Sequence, residues 1–80
     1  MTQEFAERDK RSRLALPAAE LASLLGVSLR HFRRMDASGK LPKPVRLGYS
    51  VRWLVVEIEA WLTAGAPDRK SWQQMRENRP

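Results

Sequence analysis

The chain has 80 residues, no cysteine and a formal net charge of +6, from 15 lysines and arginines against nine acidic residues. This length allows one small domain, and the lack of cysteine excludes disulfides and thiolate metal sites, so apolar packing alone must support the fold. The charged N-terminus lacks the apolar core of a signal peptide, and no apolar stretch approaches the roughly 20 residues of a membrane span, which favours a cytoplasmic location.

Residues 1–13 alternate in charge, hold few apolar side chains and predict a flexible arm. Folded structure is expected from residue 14, with a first helix from Pro17 to Leu25 in which leucine and alanine recur at helical spacing. Proline suits a first helical turn, and Gly26 suits the position just after a helix end. Ala22 is the small residue expected where this helix approaches the next one closely.

A second helix is predicted from Leu29 to about Ala37, with Ser28 as its N-cap. Its inward side chains are expected at steps of three residues, at Leu29, Phe32 and Met35. Its outward side chains are mostly basic: Arg30, His31, Arg33 and Arg34.

Residues 45–53 predict a short β-hairpin, because apolar side chains alternate with arginine on both sides of a turn. The predicted turn has three residues, Gly48-Tyr49-Ser50. A period of two is expected to place Arg46 and Arg52 on one face of the hairpin and the apolar side chains on the other. Those apolar side chains are Val45, Leu47, Val51 and Trp53.

A third helix is predicted from about Val55 to Ala64 and ends before Gly65 and Pro67. Its expected inward residues are Leu54, Ile58, Trp61 and Leu62. Residues 65–80 form a tail in which a short helix can begin at Ser71 as its cap, with Trp72 and Met75 on one side. The sequence leaves three positions open for Trp72: against the core, against a partner chain, or exposed to solvent. The apolar run of residues 54–56 packs against this tail or forms a self-association surface, and the sequence leaves both alternatives open.

The excess positive charge is concentrated in residues 28–52, which we call the basic segment. A field concentrated in this way attracts a polyanion, and the usual one is nucleic acid, although a solvated basic face without a partner has the same composition. The single acid of the basic segment is Asp36. Its seven basic residues are Arg30, Arg33, Arg34, Lys40, Lys43, Arg46 and Arg52.

Four segments follow one another in close order: ELASLLGVSLRHFRRM, SGKLPKPVRLG, VRW and EIEAWL. In this combination they resemble the excisionase-like (AlpA-like) family of small winged-helix proteins, which is related to the DNA-binding domain of MerR regulators. The resemblance covers residues 14–64. It implies a mostly α fold with a small β-hairpin wing, that is, a winged helix-turn-helix, between the arm of residues 1–13 and the tail of residues 65–80.

The resemblance further implies a sequence-specific DNA-binding protein, acting as a prophage or mobile-element transcription regulator or as an excisionase (a recombination directionality factor). Proteins of this kind place the second helix in the major groove of double-stranded DNA and lay the wing along an adjacent groove or the backbone. The implied recognition-helix contacts are Ser28, Arg30, His31, Arg33 and Arg34. The implied wing and loop contacts are Lys40, Lys43, Arg46, Tyr49, Ser50 and Arg52.

Other function classes have less support in the sequence. No phosphate-binding glycine loop, nucleophile–base pair or carboxylate cluster is present, so we expect no enzyme activity, no cofactor and no small-molecule substrate. His31 is the only histidine and cannot complete a metal site. A protein-interaction module on the same scaffold is the main alternative, and a structured-RNA binder would need an aromatic sheet face that is missing. The small footprint of one such domain favours self-association on DNA.

Overall fold

The computed structural model describes residues 13–78, so the predicted arm lies outside the described residues except for its last residue. The described residues form a three-stranded antiparallel sheet, in the order β1-β3-β2, and four helices. This part of the chain is a small α/β domain. Its elements in chain order are β1 (Ala15–Leu16), α1 (Ala18–Leu25), α2 (Leu29–Ala37), β2 (Val45–Leu47), β3 (Ser50–Leu54), α3 (Val55–Thr63) and α4 (Arg69–Glu77).

Local signals set the C-terminal end of α1 and the N-terminal end of α2, as predicted. Gly26 follows α1 with a φ of 76°, in the left-handed region that glycine tolerates best. Ser28 caps α2, and its Oγ accepts a hydrogen bond of 3.0 Å from the backbone N–H of His31. Residues 26–28 therefore join the helices through a three-residue turn. Ala22, expected at the close approach of the helices, is buried.

The core draws on all four helices, on two strands and on the loop after α2. Within it, the ring of Phe32 packs edge-on against Trp53, with centroids 5.0 Å apart and planes at 83°. Two residues predicted to point inward do not: Leu29 is 38% exposed and Leu62 is 48% exposed, because the short helices bury only a narrow side. The buried apolar residues are Leu16, Leu21, Ala22, Phe32, Leu41, Trp53, Ile58, Trp61 and Trp72.

Each of the three tryptophans has an acceptor for its indole N–H, as buried tryptophans require. Trp53 donates to the carbonyl of Pro42 at 3.0 Å, and Trp61 donates to the carbonyl of Pro67 at 2.7 Å. Trp72 donates to Oε2 of Glu57 at 3.0 Å. Two loops that contain proline are therefore fixed to the core by side-chain hydrogen bonds.

The tail forms helix α4, and its buried Trp72 belongs to the core. The predicted cap at Ser71 is wrong. The helix begins three residues earlier, at Arg69, and the carboxylate of Asp68 caps it by accepting a hydrogen bond of 2.8 Å from the backbone N–H of Ser71. Aspartate is as good an N-cap as serine, and here it is the first of the two in the chain.

The hairpin is present, but its predicted turn and faces are wrong. Leu47 pairs with Ser50, so the turn has two residues, and a glycine with φ of 67° occupies its first position. Arg46 pairs with Val51, and paired residues share a face of the sheet. Arg46 therefore lies on the core side, with Val51, whereas Arg52 lies on the opposite side. A change of one residue in turn length exchanges the two faces of one strand relative to the other.

Strand β1 is an element that the sequence did not predict. It pairs with β3 through Ala15 opposite Leu54 and Leu16 opposite Trp53. The next N–H along, that of Val55, donates to the carbonyl of Leu14 at 2.9 Å. A strand of two residues is too short to show an alternation of polar and apolar side chains in the sequence. It is defined only by its pairing with β3.

The apolar run of residues 54–56 divides in the structure. Leu54 and Val55 are half-buried, and Val55 packs against the core. Val56 is 72% exposed and lies at a groove between α3 and α4. The side chain of Met75, on α4, is also 45% exposed at this groove. The run thus contributes to the core and to one open surface.

Candidate nucleic-acid interface

Helix α2 presents one strongly basic face. Arg30, Arg33 and Arg34 are spaced by three and four residues, so they lie together on one side of the helix, and all three are exposed. The other side of the helix carries the buried Phe32 and the half-buried Met35. Because the apolar side packs against the core, the orientation of the helix is fixed and its three arginines face solvent.

The N-terminal end of α2 has further polar groups. Ser28 and His31 are exposed, and they are joined by the capping hydrogen bond between Oγ of Ser28 and the backbone N–H of His31. The serine hydroxyl accepts in this bond, so its proton stays available to donate to an external acceptor. A helix N-terminus also favours anions through its unpaired N–H groups. Ser28 and His31 thus add exposed polar groups next to the basic face of α2, at the start of the helix.

The loop after α2 holds two lysines between anchored residues. Lys40 and Lys43 are exposed, whereas Leu41 and Pro42 between them are fully buried. The carbonyl of Pro42 accepts the hydrogen bond from Trp53, and the N–H of Lys40 donates to the carbonyl of Met35 at 2.8 Å. The loop therefore has a defined path, and both lysines leave it at fixed points.

The hairpin residues predicted as contacts do not share one surface. Arg46 and Tyr49 are exposed, and Tyr49 at the tip is as open as a residue in a free peptide. Ser50 and Arg52 are half-buried on the outer face, and the guanidinium of Arg52 donates to the carbonyl of Val51 at 2.8 Å. Arg46 is therefore the freer of the two hairpin arginines, and it faces the side of the sheet on which the core lies.

The basic residues of the basic segment form no ion pairs within the described residues. Ion pairs there join Arg13 to Glu20 and two arginines of α4 to acids, and none involves the seven basic residues of the segment. The one acid of the segment, Asp36, is paired with Arg69, whose Nη2 lies 2.7 Å from Oδ1. The local positive field is thus stronger than the sequence count of the segment indicates.

Arg69 is a residue that sequence reasoning missed. It lies 33 positions after Asp36, in a tail without a motif, so no local pattern shows the contact. The adjacent Asp68 has a carboxyl pKa below its ordinary value of 3.8, first because it accepts the N–H and then the side-chain hydrogen bond of Ser71, and also because Lys40 and Lys70 attract it. The start of α4 therefore lies beside the loop that carries Lys40.

A separate groove lies between α3 and α4, with a volume of about 790 Å³. Val56, Ala60, Trp72 and Met75 give it an apolar lining, and Glu59 adds a carboxylate. This volume falls in the range of ligand pockets. No residue of the basic segment lines it.

Residues 13–78 contain neither a candidate metal-ion cluster nor a candidate membrane span. No group of three or more histidine, cysteine or acidic side chains there is placed to hold a metal ion. None of the helices in this range has the length and apolar character needed to cross a membrane.

Comparison with known proteins returned no relative: no family model, no curated protein and no solved structure matches the chain.

Proposed function

We propose that the chain binds double-stranded DNA sequence-specifically as a winged helix-turn-helix. In this proposal α1 and α2 are the helix pair, α2 is the recognition helix in the major groove, and the β2–β3 hairpin is the wing. A three-residue turn that contains glycine joins the two helices, as in helix-turn-helix units. The domain is small and basic, and the basic residues of its basic segment lie in the second helix, the loop after it and the hairpin.

One observation carries the proposal: α2 exposes Arg30, Arg33 and Arg34 on one face while Phe32 anchors the other face in the core. An α-helix fits the major groove, and an arginine can donate two hydrogen bonds to O6 and N7 of guanine. Each such contact contributes roughly 1–3 kcal/mol of discrimination against other bases. A helix that is anchored in the core and carries three arginines on its exposed side has the hydrogen-bond donors needed to recognise guanine bases directly.

The remaining basic residues have a positioning role in this proposal. Lys40, Lys43 and Arg46 neutralise phosphates, which fixes the orientation of the domain without reading sequence. Arg52 is half-buried and bound to a carbonyl, so we assign it the weakest of these contacts. Hydroxyl contacts to the backbone come from Ser28, Tyr49 and Ser50, and His31 lies at the groove edge of α2.

We further propose that the protein acts without catalysis, as a prophage or mobile-element transcription regulator or as an excisionase. Both roles use the same DNA-binding domain, so they differ in the site that is bound. A neighbouring integrase gene favours excision, and a divergent promoter favours regulation. One domain of this type covers only about 600–1,000 Å² of surface, so two or more copies on repeated sites are expected to share the binding.

The test is a fluorescence-anisotropy titration of the protein into random-sequence duplex DNA at several salt concentrations. Each phosphate contact adds about 0.9 to the slope of log affinity against log salt. We expect a wild-type slope equivalent to about four or more contacts. The variant Arg33→Ala/Arg34→Ala is expected to bind more weakly.

The matched control is Lys70→Ala/Arg76→Ala, which removes the same charge from α4. This control is expected to retain most of the wild-type affinity, because its two residues lie outside the basic segment. Equal losses in both variants would mean that total charge, and not the face of α2, determines binding. No binding at low salt would refute the proposal.

A protein-interaction module is the second candidate, and the α3–α4 groove favours it. Val56 is 72% exposed there beside other apolar side chains, which is typical of a surface that buries a partner. This alternative predicts that Arg30→Glu/Arg33→Glu/Arg34→Glu leaves function intact and that Val56→Glu abolishes it. DNA binding predicts the opposite order, so the same two variants separate the candidates.

A further inference from the structure

Arg69, the first residue of α4, makes four hydrogen bonds to residues 36–41, which span the last turn of α2 and the start of the following loop. The Nη2 of Arg69 lies 2.7 Å from Oδ1 of Asp36 and 3.4 Å from its carbonyl oxygen. The Nε of Arg69 donates to the carbonyl of Leu41 at 2.9 Å, and its backbone N–H donates to the carbonyl of Gly39 at 2.9 Å. One residue thus binds three positions within residues 36–41.

These bonds have the geometry of a fixed connection. The guanidinium is planar and donates in fixed directions, so it holds the side chain of Asp36 and the carbonyl of Leu41 at a set distance from each other. The side chain of Arg69 is 28% exposed, and Leu41 is fully buried. Water therefore has limited access to the contact. Lysine, with one compact ammonium group, cannot reproduce the planar arrangement.

The connected segment carries two of the proposed phosphate contacts. Lys40 directly follows Gly39, and Lys43 follows the buried pair Leu41–Pro42. If residues 39–41 move, both ammonium groups move with them. The segment also carries Asp36, whose free carboxylate would repel phosphates.

We propose that Arg69 is a positioning residue for DNA binding: it clamps residues 36–41 so that Lys40 and Lys43 meet the backbone, and it neutralises Asp36 beside them. The inference rests on the proposed DNA-binding function and extends the interface to a residue that need not touch DNA. It also gives α4 a role in binding, since this helix supplies the clamp.

The test uses Asp36→Asn/Arg69→Gln, which has the net charge of wild type, so a change in binding does not come from total charge. The matched control is Glu57→Gln/Arg76→Gln, which removes the other ion pair of α4, at 2.5 Å. Neither control residue is hydrogen-bonded to the clamped segment. Anisotropy with random-sequence duplex DNA gives the salt slope of each protein, and circular dichroism verifies folding at the temperature of the titration.

We expect the salt slope of Asp36→Asn/Arg69→Gln to fall by about 0.9 to 1.8, the equivalent of one or two phosphate contacts. A role limited to global stability would leave the slope unchanged in folded protein. Hydrogen exchange without DNA is expected to accelerate in residues 36–43 of this variant. The control is expected to keep the wild-type slope and the wild-type exchange of that segment.

Arg69→Lys provides a milder variant in case the double substitution unfolds the protein. It keeps the charge but loses the planar fork, so its slope is also expected to lie below that of wild type. Folded variants at residue 69 with the wild-type slope would overturn the inference and leave the proposed function intact. A wild-type protein that binds no duplex would overturn both, so the two failures are distinguishable.

Discussion

Trp53→Phe tests whether the indole hydrogen bond to the Pro42 carbonyl is essential to the fold. The substitution keeps an aromatic ring in the core but removes the donor that lies 3.0 Å from this carbonyl. Pro42 is fully buried, so water cannot easily replace the lost bond. An unsatisfied buried acceptor costs about 1–3 kcal/mol. Reduced packing around the smaller ring adds about 1 kcal/mol.

The expected loss is therefore about 2–4 kcal/mol in the free energy of unfolding, and a fall in Tm of about 10 °C or more for a domain of this size. Trp72→Phe is the matched control, because it makes the same change of side chain at another buried tryptophan. The acceptor there is Glu57, which keeps its hydrogen bond from Arg76. We expect a loss of only about 1 kcal/mol in the control.

Urea denaturation followed by circular dichroism measures both values at one temperature. Trp53→Phe is expected to cost at least about 1 kcal/mol more than Trp72→Phe. Equal losses would show that ring volume alone determines the cost. The hydrogen bond from Trp53 to the carbonyl of Pro42 would then not stabilise the loop that carries Lys40 and Lys43.

Three further predictions concern the backbone, pH and the wing. Gly26→Ala should lower the free energy of unfolding by about 1–2 kcal/mol, because alanine is strained at a φ of 76°. Ala66 already has a φ of 54°, so Ala66→Gly should raise the free energy of unfolding by up to about 1 kcal/mol. Urea denaturation measures both changes. Because folding lowers the pKa of Asp68, its stabilising effect is complete above about pH 5 and is lost as pH falls through the lowered pKa, so wild type and Asp68→Asn should converge in stability as pH falls below about 4. Arg46→Ala should reduce the salt slope of DNA binding by about 0.9, and Arg52→Ala by less, since Arg46 is exposed and Arg52 is half-buried and bound to a carbonyl; equal reductions would contradict the assignment of Arg52 as the weaker contact.

The parts of the fold that the sequence predicted depend on local chemistry. Ser28 and Gly26 fix the ends of two helices through a side-chain cap and a left-handed residue, and both act within three positions along the chain. The basic face of α2 follows from the same local regularity, since residues three and four apart share a helix side. These features need no knowledge of the remaining chain.

The parts that were missed depend on contacts between distant residues. The faces of the hairpin reversed because Leu47 pairs with Ser50 instead of Val51. A glycine at the first of two loop positions is a known preference of tight hairpin turns, so this signal was present in the Gly48-Tyr49 pair. The clamp at Arg69 had no such signal, because its partners lie 28 to 33 residues away.

A titration of ¹⁵N-labelled protein with duplex DNA, followed by two-dimensional NMR, tests directly whether α2 and the wing contact DNA. Docking of α2 and the wing predicts that amide shifts change along residues 28–34 and 40–52, with little change around the α3–α4 groove. Changes confined to the groove, or no changes at a salt concentration low enough for phosphate contacts, would contradict DNA binding through α2. Such a result would make the groove the first surface to test for a protein partner.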